Sequence, residues 1–181
     1  MADENAEIAQ GLRRRDPDLL DRLIEQYQHR LLRYLVHLTG RRELAEDLFQ
    51  ETWVRVLERG RQYDGRRDFT GWLFAIARNL FIDQQRRGRA PSEDSAELDT
   101  AAAAGQPSAL ELAMQHEQSA QILAGMKRLS AEYREALSLR FQEGMSLEEI
   151  AGVTGAPLGT VKSRIYRGLS ALEPWLKGAG L

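Results

Sequence analysis

The chain has 181 residues, 43% of them apolar, and a formal net charge of −2. This length suits one or two small domains, and the near-neutral charge argues against a protein that binds nucleic acid through overall positive charge. Cysteine is absent, the apolar runs fall short of the ~20 residues of a membrane span, and the acidic N-terminus has no signal-peptide pattern, which together exclude disulfides and predict a cytoplasmic protein without membrane insertion.

The first 90 residues show helical periodicity and no strand pattern of convincing length. The Asp16-Pro17 pair marks the start of a helix, because proline is preset for a first helical turn. A basic loop, RGRQYDGRRD, occupies residues 59–68. Four helices are predicted in this part of the chain, over about 3–14, 17–39, 42–58 and 69–87.

The predicted helix over 42–58 carries a polar, acidic face with one apolar residue in it. Four residues share this face, since they fall at i, i+3, i+4 and i+7: Asp47, Gln50, Glu51 and Val54. The face lies away from the apolar Leu44/Leu48 stripe and suits a basic or mixed protein partner. The alternative interpretation is an ordinary solvated helix face, which is what most charge runs are.

The loop and helix that follow combine arginines with aromatic residues. The aromatic residues are Tyr63, Phe69, Trp72 and Phe74, and the arginines of the helix and its C-terminal end include Arg78, Arg86 and Arg87. Exposed aromatic rings beside arginines can stack unpaired bases while the phosphates are neutralised, as a flipped base requires. The alternative is that Trp72 and Phe74 are core residues and only the arginines are exposed. Trp72 is expected to pack at least partly inside.

An acidic segment separates the two halves of the chain. Residues 91–126 contain six acidic and no basic residues, whereas residues 1–90 and 127–181 each have a net charge of +2. The stretch 91–109 is rich in Pro, Ser, Ala and Gly and buries too little apolar surface to offset its ordering entropy. We therefore predict a flexible acidic linker, followed by helix over 109–128.

The sequence pattern of the C-terminal part predicts a helix-turn-helix. Ser130 is expected to cap a helix that runs through about Gln142, with Leu137 and Phe141 inside. Ser146 and Glu149 form a capping box for a short helix, which Gly155-Ala156-Pro157 ends. A second helix is then predicted from near Leu158.

The last predicted helix is amphipathic and cationic. Its buried stripe is predicted from spacings of four, four and three: Val161, Ile165, Leu169 and Leu172. Its other side carries Thr160, Ser163 and Arg167, flanked by Lys162, Arg164 and Tyr166, and residues 159–171 contain no acid. Such a helix suits a DNA major groove, where phosphates attract the charges and arginine pairs with guanine. A solvated helical hairpin with incidental charge is the alternative.

Catalytic patterns are missing from the sequence. The three histidines, His29, His37 and His116, fall in no metal-binding or nucleophile arrangement, and no glycine-rich phosphate-binding loop is present. We expect no enzymatic activity, no metal and no cofactor.

Four segments, in this order, resemble the extracytoplasmic-function sigma factors of the sigma-70 family: AEDLFQETWVRVL, FTGWLFAIARNLFID, LSAEYREALSLRF and GMSLEEIAGVTGAPLGTVKSRIYRGL. The resemblance covers roughly residues 16–89 and 112–176. It implies an all-α fold of two small domains. The implied order begins with an N-terminal helix or extension at 1–15, followed by sigma domain two at 16–90, which is a helical bundle. The acidic linker follows at 91–111, and sigma domain four, which contains the helix-turn-helix, occupies 112–178.

The resemblance also implies partners and residue roles. The partners are bacterial core RNA polymerase, promoter DNA and, from the family, a candidate anti-sigma factor. The acidic face of helix 42–58 would bind the polymerase, and the acidic linker would thread its RNA channel. The loop from Tyr63 to Phe69 would capture a flipped base. The residues facing the −10 element would be Asn79, Asp83, Arg86 and Arg87, and those facing the −35 element would be Lys162, Ser163, Arg164, Tyr166 and Arg167.

Two other functions fit parts of the sequence. A stand-alone helix-turn-helix transcriptional regulator is the first, since SLEEIA…TVKSRI also resembles response-regulator output domains; residues 1–90, however, lack the βα alternation of a receiver domain. The second is an interaction protein that binds polymerase or DNA without directing initiation. It would keep the acidic face of helix 42–58 but would not need Arg164 or Arg167.

Overall fold

The computed structural model describes residues 2–87, 122 and 124–178, and these residues form helices and turns with no strand among them. The all-α prediction is therefore confirmed, while the predicted linker at 91–111 and most of the helix predicted over 109–128 lie outside the described residues. The helices are α1 (Ala2–Arg14), α2 (Pro17–Thr39), α3 (Arg42–Arg59), α4 (Phe69–Arg87), α5 (Ala131–Leu137), α6 (Leu147–Thr154) and α7 (Leu158–Gly178). A 3₁₀ turn at Gly60–Gln62 follows α3, and a π-helical turn at Ser138–Gln142 follows α5.

The ends of α2 follow from local chemistry. Asp16 Oδ1 accepts hydrogen bonds from the backbone N–H groups of Asp18 and Leu19, and Pro17 occupies the first turn, where it loses no hydrogen bond. Gly40 ends the helix at a φ of 66°, a left-handed conformation that glycine adopts without steric cost.

The N-terminal lobe, α1–α4, has one apolar core. Leu31, Leu35, Leu48, Leu73 and Phe74 are almost fully buried there. The sequence pattern of α3 predicts Leu57 on the buried side together with Leu44 and Leu48, and for Leu57 this prediction is wrong. Leu57 is 43% exposed, whereas Thr52 and Trp53 are buried, and the Thr52 hydroxyl donates to the carbonyl of Leu48. A polar threonine occupies this core because its own helix satisfies its hydroxyl.

The C-terminal lobe, residues 124–178, contains the predicted helix-turn-helix. The capping box is confirmed: the Glu149 N–H donates to Ser146 Oγ, and the Ser146 N–H donates to the Glu149 carboxylate. Gly155 ends α6 at a φ of 67°. The turn Gly155-Ala156-Pro157 then leads directly into α7.

Two details of the predicted core of the C-terminal lobe are wrong. Leu169 is 37% exposed, and Gly168 takes its place on the buried side, close against Leu137. Phe141 is 62% exposed because it lies in the π-helical turn, where the extra residue shifts the side chains that follow, and Leu139 is buried instead. The spacing of hydrophobic residues in the sequence predicts neither of these changes in which residue is buried.

The two lobes pack against each other. Helix α4 contacts α6, α2 contacts α5, and one apolar cluster includes Leu35 and Phe74 together with Leu139, Met145 and Ile150. The contact occurs although the lobes are far apart in the sequence.

Two buried carboxylates of the C-terminal lobe bind basic residues of the N-terminal lobe. Glu143, whose side chain is fully buried, accepts hydrogen bonds from Arg30 and Arg33, each at 2.8 Å. Glu135 accepts from the Tyr34 hydroxyl at 2.9 Å and from Arg78 Nε at 2.7 Å. Because a buried carboxylate without a partner is costly, these contacts favour one register of the two lobes.

We expect the substitutions Glu135→Gln and Glu143→Gln together to weaken the closed packing of the lobes by roughly 1–3 kcal/mol, a range that allows for the partial exposure of Arg30 and Arg33. The chain contains no cysteine, so dyes attached to cysteines introduced at Glu25 and Glu173 would report the distance between the lobes by energy transfer. The control is Glu46→Gln, which removes an exposed ion pair within α3. A distance distribution equal to that of the control would contradict the prediction.

Candidate functional site

The predicted polymerase face of α3 is exposed along its length. Its four predicted residues, Asp47, Gln50, Glu51 and Val54, all lie at the surface. Val54 is 52% exposed, and the exposed Leu57 lies one turn further on. An apolar pair within an acidic surface suits a protein contact, because a partner that covers it removes apolar area from water.

The same face borders a groove between α3 and α4. Asp47 and Glu51 line it from α3, and Asn79, Asp83 and Arg87 line it from α4. The structure therefore places residues predicted to contact polymerase next to residues predicted to contact the −10 element. Arg55 and Arg59 also line the groove from α3, and Arg55 forms exposed ion pairs with Glu51 and Glu58 on its own helix.

The solvent-facing side of α4 matches the prediction for most of its polar residues. Asn79, Asp83, Arg86 and Arg87 are exposed. Arg78 is not: its side chain is only 18% exposed and is bound to Glu135. No pattern in the sequence predicts this contact, because Glu135 is remote from Arg78 in the chain.

The expectation that the aromatic rings are exposed is wrong for Tyr63 and Phe69. Both are almost completely buried, and their ring centroids lie 5.5 Å apart. The Tyr63 hydroxyl donates to the carbonyl of Arg67 at 2.7 Å, so the loop folds back over its own tyrosine, and burial raises the pKa of this hydroxyl. Phe74 is a core residue, as the alternative interpretation held, and Trp72 is half-buried.

The loop over 60–68 presents charge outward. Arg61, Arg66 and Arg67 are exposed, while the aromatic rings lie beneath them. Trp72 packs on Tyr63 and Phe69 with centroid distances of 5.1 and 5.7 Å. The loop therefore presents a cationic surface that is supported by packed aromatic side chains.

The predicted recognition surface of α7 has the expected exposure at four of six positions: Thr160, Lys162, Tyr166 and Arg167. Tyr166 is 73% exposed. Ser163 and Arg164 are half-buried, and Arg164 pairs with Glu132 on α5 at 3.2 Å. Glu132 and Glu135 on α5 thus bind one predicted DNA-contacting arginine from each lobe.

The histidines occupy no catalytic arrangement in the described part of the chain. His37 is buried, and neither of its ring nitrogens has a hydrogen-bond partner there. Burial lowers the pKa of the His37 imidazole below its ordinary value, and the guanidinium groups of Arg33 and Arg134 lower it further, while Glu143 opposes them. His116 lies outside the described residues. Within the described part of the chain, no cluster of three or more His, Asp or Glu side chains is suited to a metal ion, and no helix is long and apolar enough to cross a membrane.

Two regions of the chain match models of known protein families: residues 23–90 match sigma-70 region 2, and residues 119–172 match sigma-70 region 4. The RNA polymerase sigma-H factor of Pseudomonas aeruginosa is 30% identical over 183 residues, which cover 97% of this chain and 95% of that protein. The chain belongs to the extracytoplasmic-function group of the sigma-70 family.

Two further comparisons support this family assignment. The sigma factor SigE of Mycolicibacterium smegmatis is 38% identical over 157 residues, or 86% of this chain, and this chain spans only 61% of SigE. The solved structure of the sigma factor RpoE from Bartonella quintana, in complex with the anti-sigma factor NepR, superposes with a TM-score of 0.68 at 26% identity, covering 87% of this chain and 96% of RpoE.

The matched regions contain every predicted site residue of the sigma factor. All residues assigned to the polymerase face and the −10 element fall within 23–90, and all those assigned to the −35 element fall within 119–172. Helix α1 falls outside both regions.

We expect His37 to make the sigma factor sensitive to acid. Its pKa is lower in the folded than in the unfolded chain, so the unfolded chain binds more protons below the ordinary histidine pKa, and stability falls as the pH falls through that range. Urea unfolding at pH 7.5 and pH 5.5 would show a smaller loss of stability in His37→Phe than in wild type. His29→Ala is the control, and equal losses in both variants would contradict the assignment.

Proposed function

We propose that this sigma factor binds bacterial core RNA polymerase and directs promoter recognition, DNA melting and transcription initiation in the cytoplasm. One observation carries the proposal: a single chain presents an exposed polymerase-type face on α3, a polar face on α4 and a cationic, acid-free surface on α7. Each lies within a matched region of the sigma-70 family. The domain boundaries proposed from the sequence, 16–90 and 112–178, enclose these surfaces.

The α3 face is the proposed contact with the coiled-coil clamp helices of the largest polymerase subunit. Asp47 and Glu51 supply negative charge for basic residues of the partner, and Gln50 supplies hydrogen bonds. Val54 and Leu57 supply the apolar area that a stable contact needs at its centre. The acidic segment 91–111 is proposed to follow the RNA channel, where its charge resembles that of a transcript.

The exposed side of α4 and the loop before it are the proposed −10 site. Asn79, Asp83, Arg86 and Arg87 face solvent where a separated strand is expected to lie. Because Tyr63 and Phe69 are buried, their role is to support the loop from beneath. Trp72, half-buried, is the ring of this cluster that remains open to stacking on an unpaired base.

The C-terminal lobe is the proposed −35 reader. Lys162 and Arg167 are exposed on α7 to bind phosphates or guanine edges, and Thr160 and Tyr166 extend the same surface. Arg164 is half-buried and pairs with the exposed carboxylate of Glu132, whose place a phosphate can take.

The closed packing of the lobes does not allow both promoter elements to be bound at once. The elements are separated by more than two turns of duplex, which is ~80 Å at 34–36 Å per turn. Helix α4 instead touches α6, the helix before the −35 reader. We propose that polymerase binding holds the lobes apart, since residues 88–121 can span up to ~110 Å when extended.

An anti-sigma factor is a proposed further partner. The B. quintana relative was solved in complex with one. Such a partner would compete with polymerase or DNA for the exposed faces of the two lobes.

The experiment that tests the function is run-off transcription on sheared genomic DNA, with core polymerase in the presence and absence of this protein. New start sites that share two upstream elements are expected. No new start sites, together with tight duplex binding by the protein alone, would favour a stand-alone helix-turn-helix regulator instead.

We expect Gln50→Ala combined with Glu51→Arg to abolish binding to core polymerase without unfolding the protein, because the pair removes a hydrogen-bonding group and reverses a charge on an exposed face. Co-elution with core polymerase on a sizing column measures this. Glu25→Arg, a charge reversal on the exposed side of α2, is the control. Retained co-elution of the double variant would remove the α3 assignment.

We expect Arg167→Ala and Arg164→Ala each to weaken use of the upstream element by about 1–3 kcal/mol if they contact bases. Footprints and start-site choice with holoenzyme measure this. Lys177→Ala, which removes an exposed charge near the end of the same helix, is the matched control. Unchanged footprints would contradict the assignment of α7 as the reading helix.

A further inference from the structure

Helix α1 packs on the loop that the proposed function assigns to base capture. Its apolar side, formed by Ile8, Ala9 and Leu12, is buried in the core of the N-terminal lobe. The helix also contacts the 3₁₀ turn at Gly60–Gln62 where the loop begins. Because α1 lies outside both matched regions, the family match assigns it no role.

Three points along the loop touch α1. At its start, a Cβ on Gly60 would lie 3.1 Å from Leu12 Cβ. At its middle, Gly65 has a φ of 75°, and a Cβ there would lie 2.8 Å from the carbonyl oxygen of Asn5. At its end, the Asn5 side-chain oxygen accepts the backbone N–H of Phe69 at 3.2 Å.

The contact at Phe69 matters because this residue begins α4. The first N–H groups of a helix have no partner within the helix. Asn5 supplies a partner for the Phe69 N–H, and Asp68 supplies one for the Thr70 N–H at 3.0 Å. Asn5 thus fixes the first turn of α4 from outside the loop, next to the aromatic ring on which Tyr63 and Trp72 pack.

Part of the loop faces solvent. Arg61, Arg66 and Arg67 are exposed although α1 packs on the loop, so the contact with α1 leaves these cationic side chains open to DNA. A loop that is already ordered pays less entropy when it binds, and extrusion of a base already costs a few kcal/mol.

We propose that α1 is a positioning element for promoter opening, and that Asn5 is the positioning residue that holds the loop 60–68 in the geometry that captures an unpaired base. The proposal rests on the proposed function. It assigns α1 to the −10 step alone, and neither polymerase binding on α3 nor recognition by α7 depends on it.

The test compares Asn5→Ala, Asn5→Asp and Gln10→Ala in holoenzyme on a duplex promoter found by run-off transcription. Aspartate keeps the acceptor for the Phe69 N–H, and Gln10 lies on the exposed side of the same helix. Permanganate reactivity of unpaired thymines would report opening. We expect Asn5→Ala to lower the opening rate roughly fivefold, the value for one lost hydrogen bond, and Asn5→Asp to restore it. Polymerase affinity and −35 footprints are expected to match those of Gln10→Ala.

A second measurement separates positioning from a general loss of stability. Abasic sites placed in turn along the non-template strand would first identify the base that the wild-type protein depends on most. On the template lacking that base, the Asn5→Ala defect is expected to disappear, because no base remains for the loop to hold. An equal defect on intact and abasic templates, or no defect on either, would overturn the proposal. Failure of the wild-type protein to open any promoter would instead overturn the proposed function, and the proposal with it.

Discussion

The burial of two carboxylates, Glu135 and Glu143, governs how the two lobes of this sigma factor are arranged. Each is almost completely buried, and within the described part of the chain its carboxylate is paired with residues of the other lobe. An unpaired charge at either position would cost several kcal/mol, so the lobes pack in the register that pairs them. The apolar surface between the lobes contributes buried area, while the ion pairs determine the orientation in which the lobes pack. The closed arrangement is thus specific, yet it is joined by contacts that water and phosphates can replace once the lobes separate.

This arrangement links the two surfaces that are proposed to bind DNA. Helix α5 binds Arg78 of the N-terminal lobe through Glu135 and Arg164 of the C-terminal lobe through Glu132. Both arginines are thereby neutralised by protein before any DNA is present. The proposed polymerase face on α3 remains exposed in the same arrangement. The proposed function then implies an order of events: the proposed polymerase face is open in the closed state, and the proposed DNA surfaces become complete after the lobes part.

Within the N-terminal lobe, the loop proposed to capture a base has packed aromatic rings and not exposed ones. The sequence analysis expected aromatic rings at the surface, but Tyr63 and Phe69 form a buried platform beneath exposed arginines. The platform is held by ring packing from Trp72 and by α1 from behind. A rigid support lowers the conformational entropy that the loop loses when a DNA strand binds. The loop is therefore better described as a preformed surface than as a set of free rings.

Local patterns in the sequence determined the helices, because capping and periodicity act over a few residues: the capping box at Ser146 and the proline start at Pro17 are both in place. The same patterns placed the polar faces of α3 and α7, since one turn of helix fixes which side chains share a side. Only the tertiary structure decided the partners of Arg78 and the burial of Tyr63. The sequence carries no signal for those contacts, because they join residues whose separation along the chain is unrelated to helical period, and only the packing of whole helices brings them together.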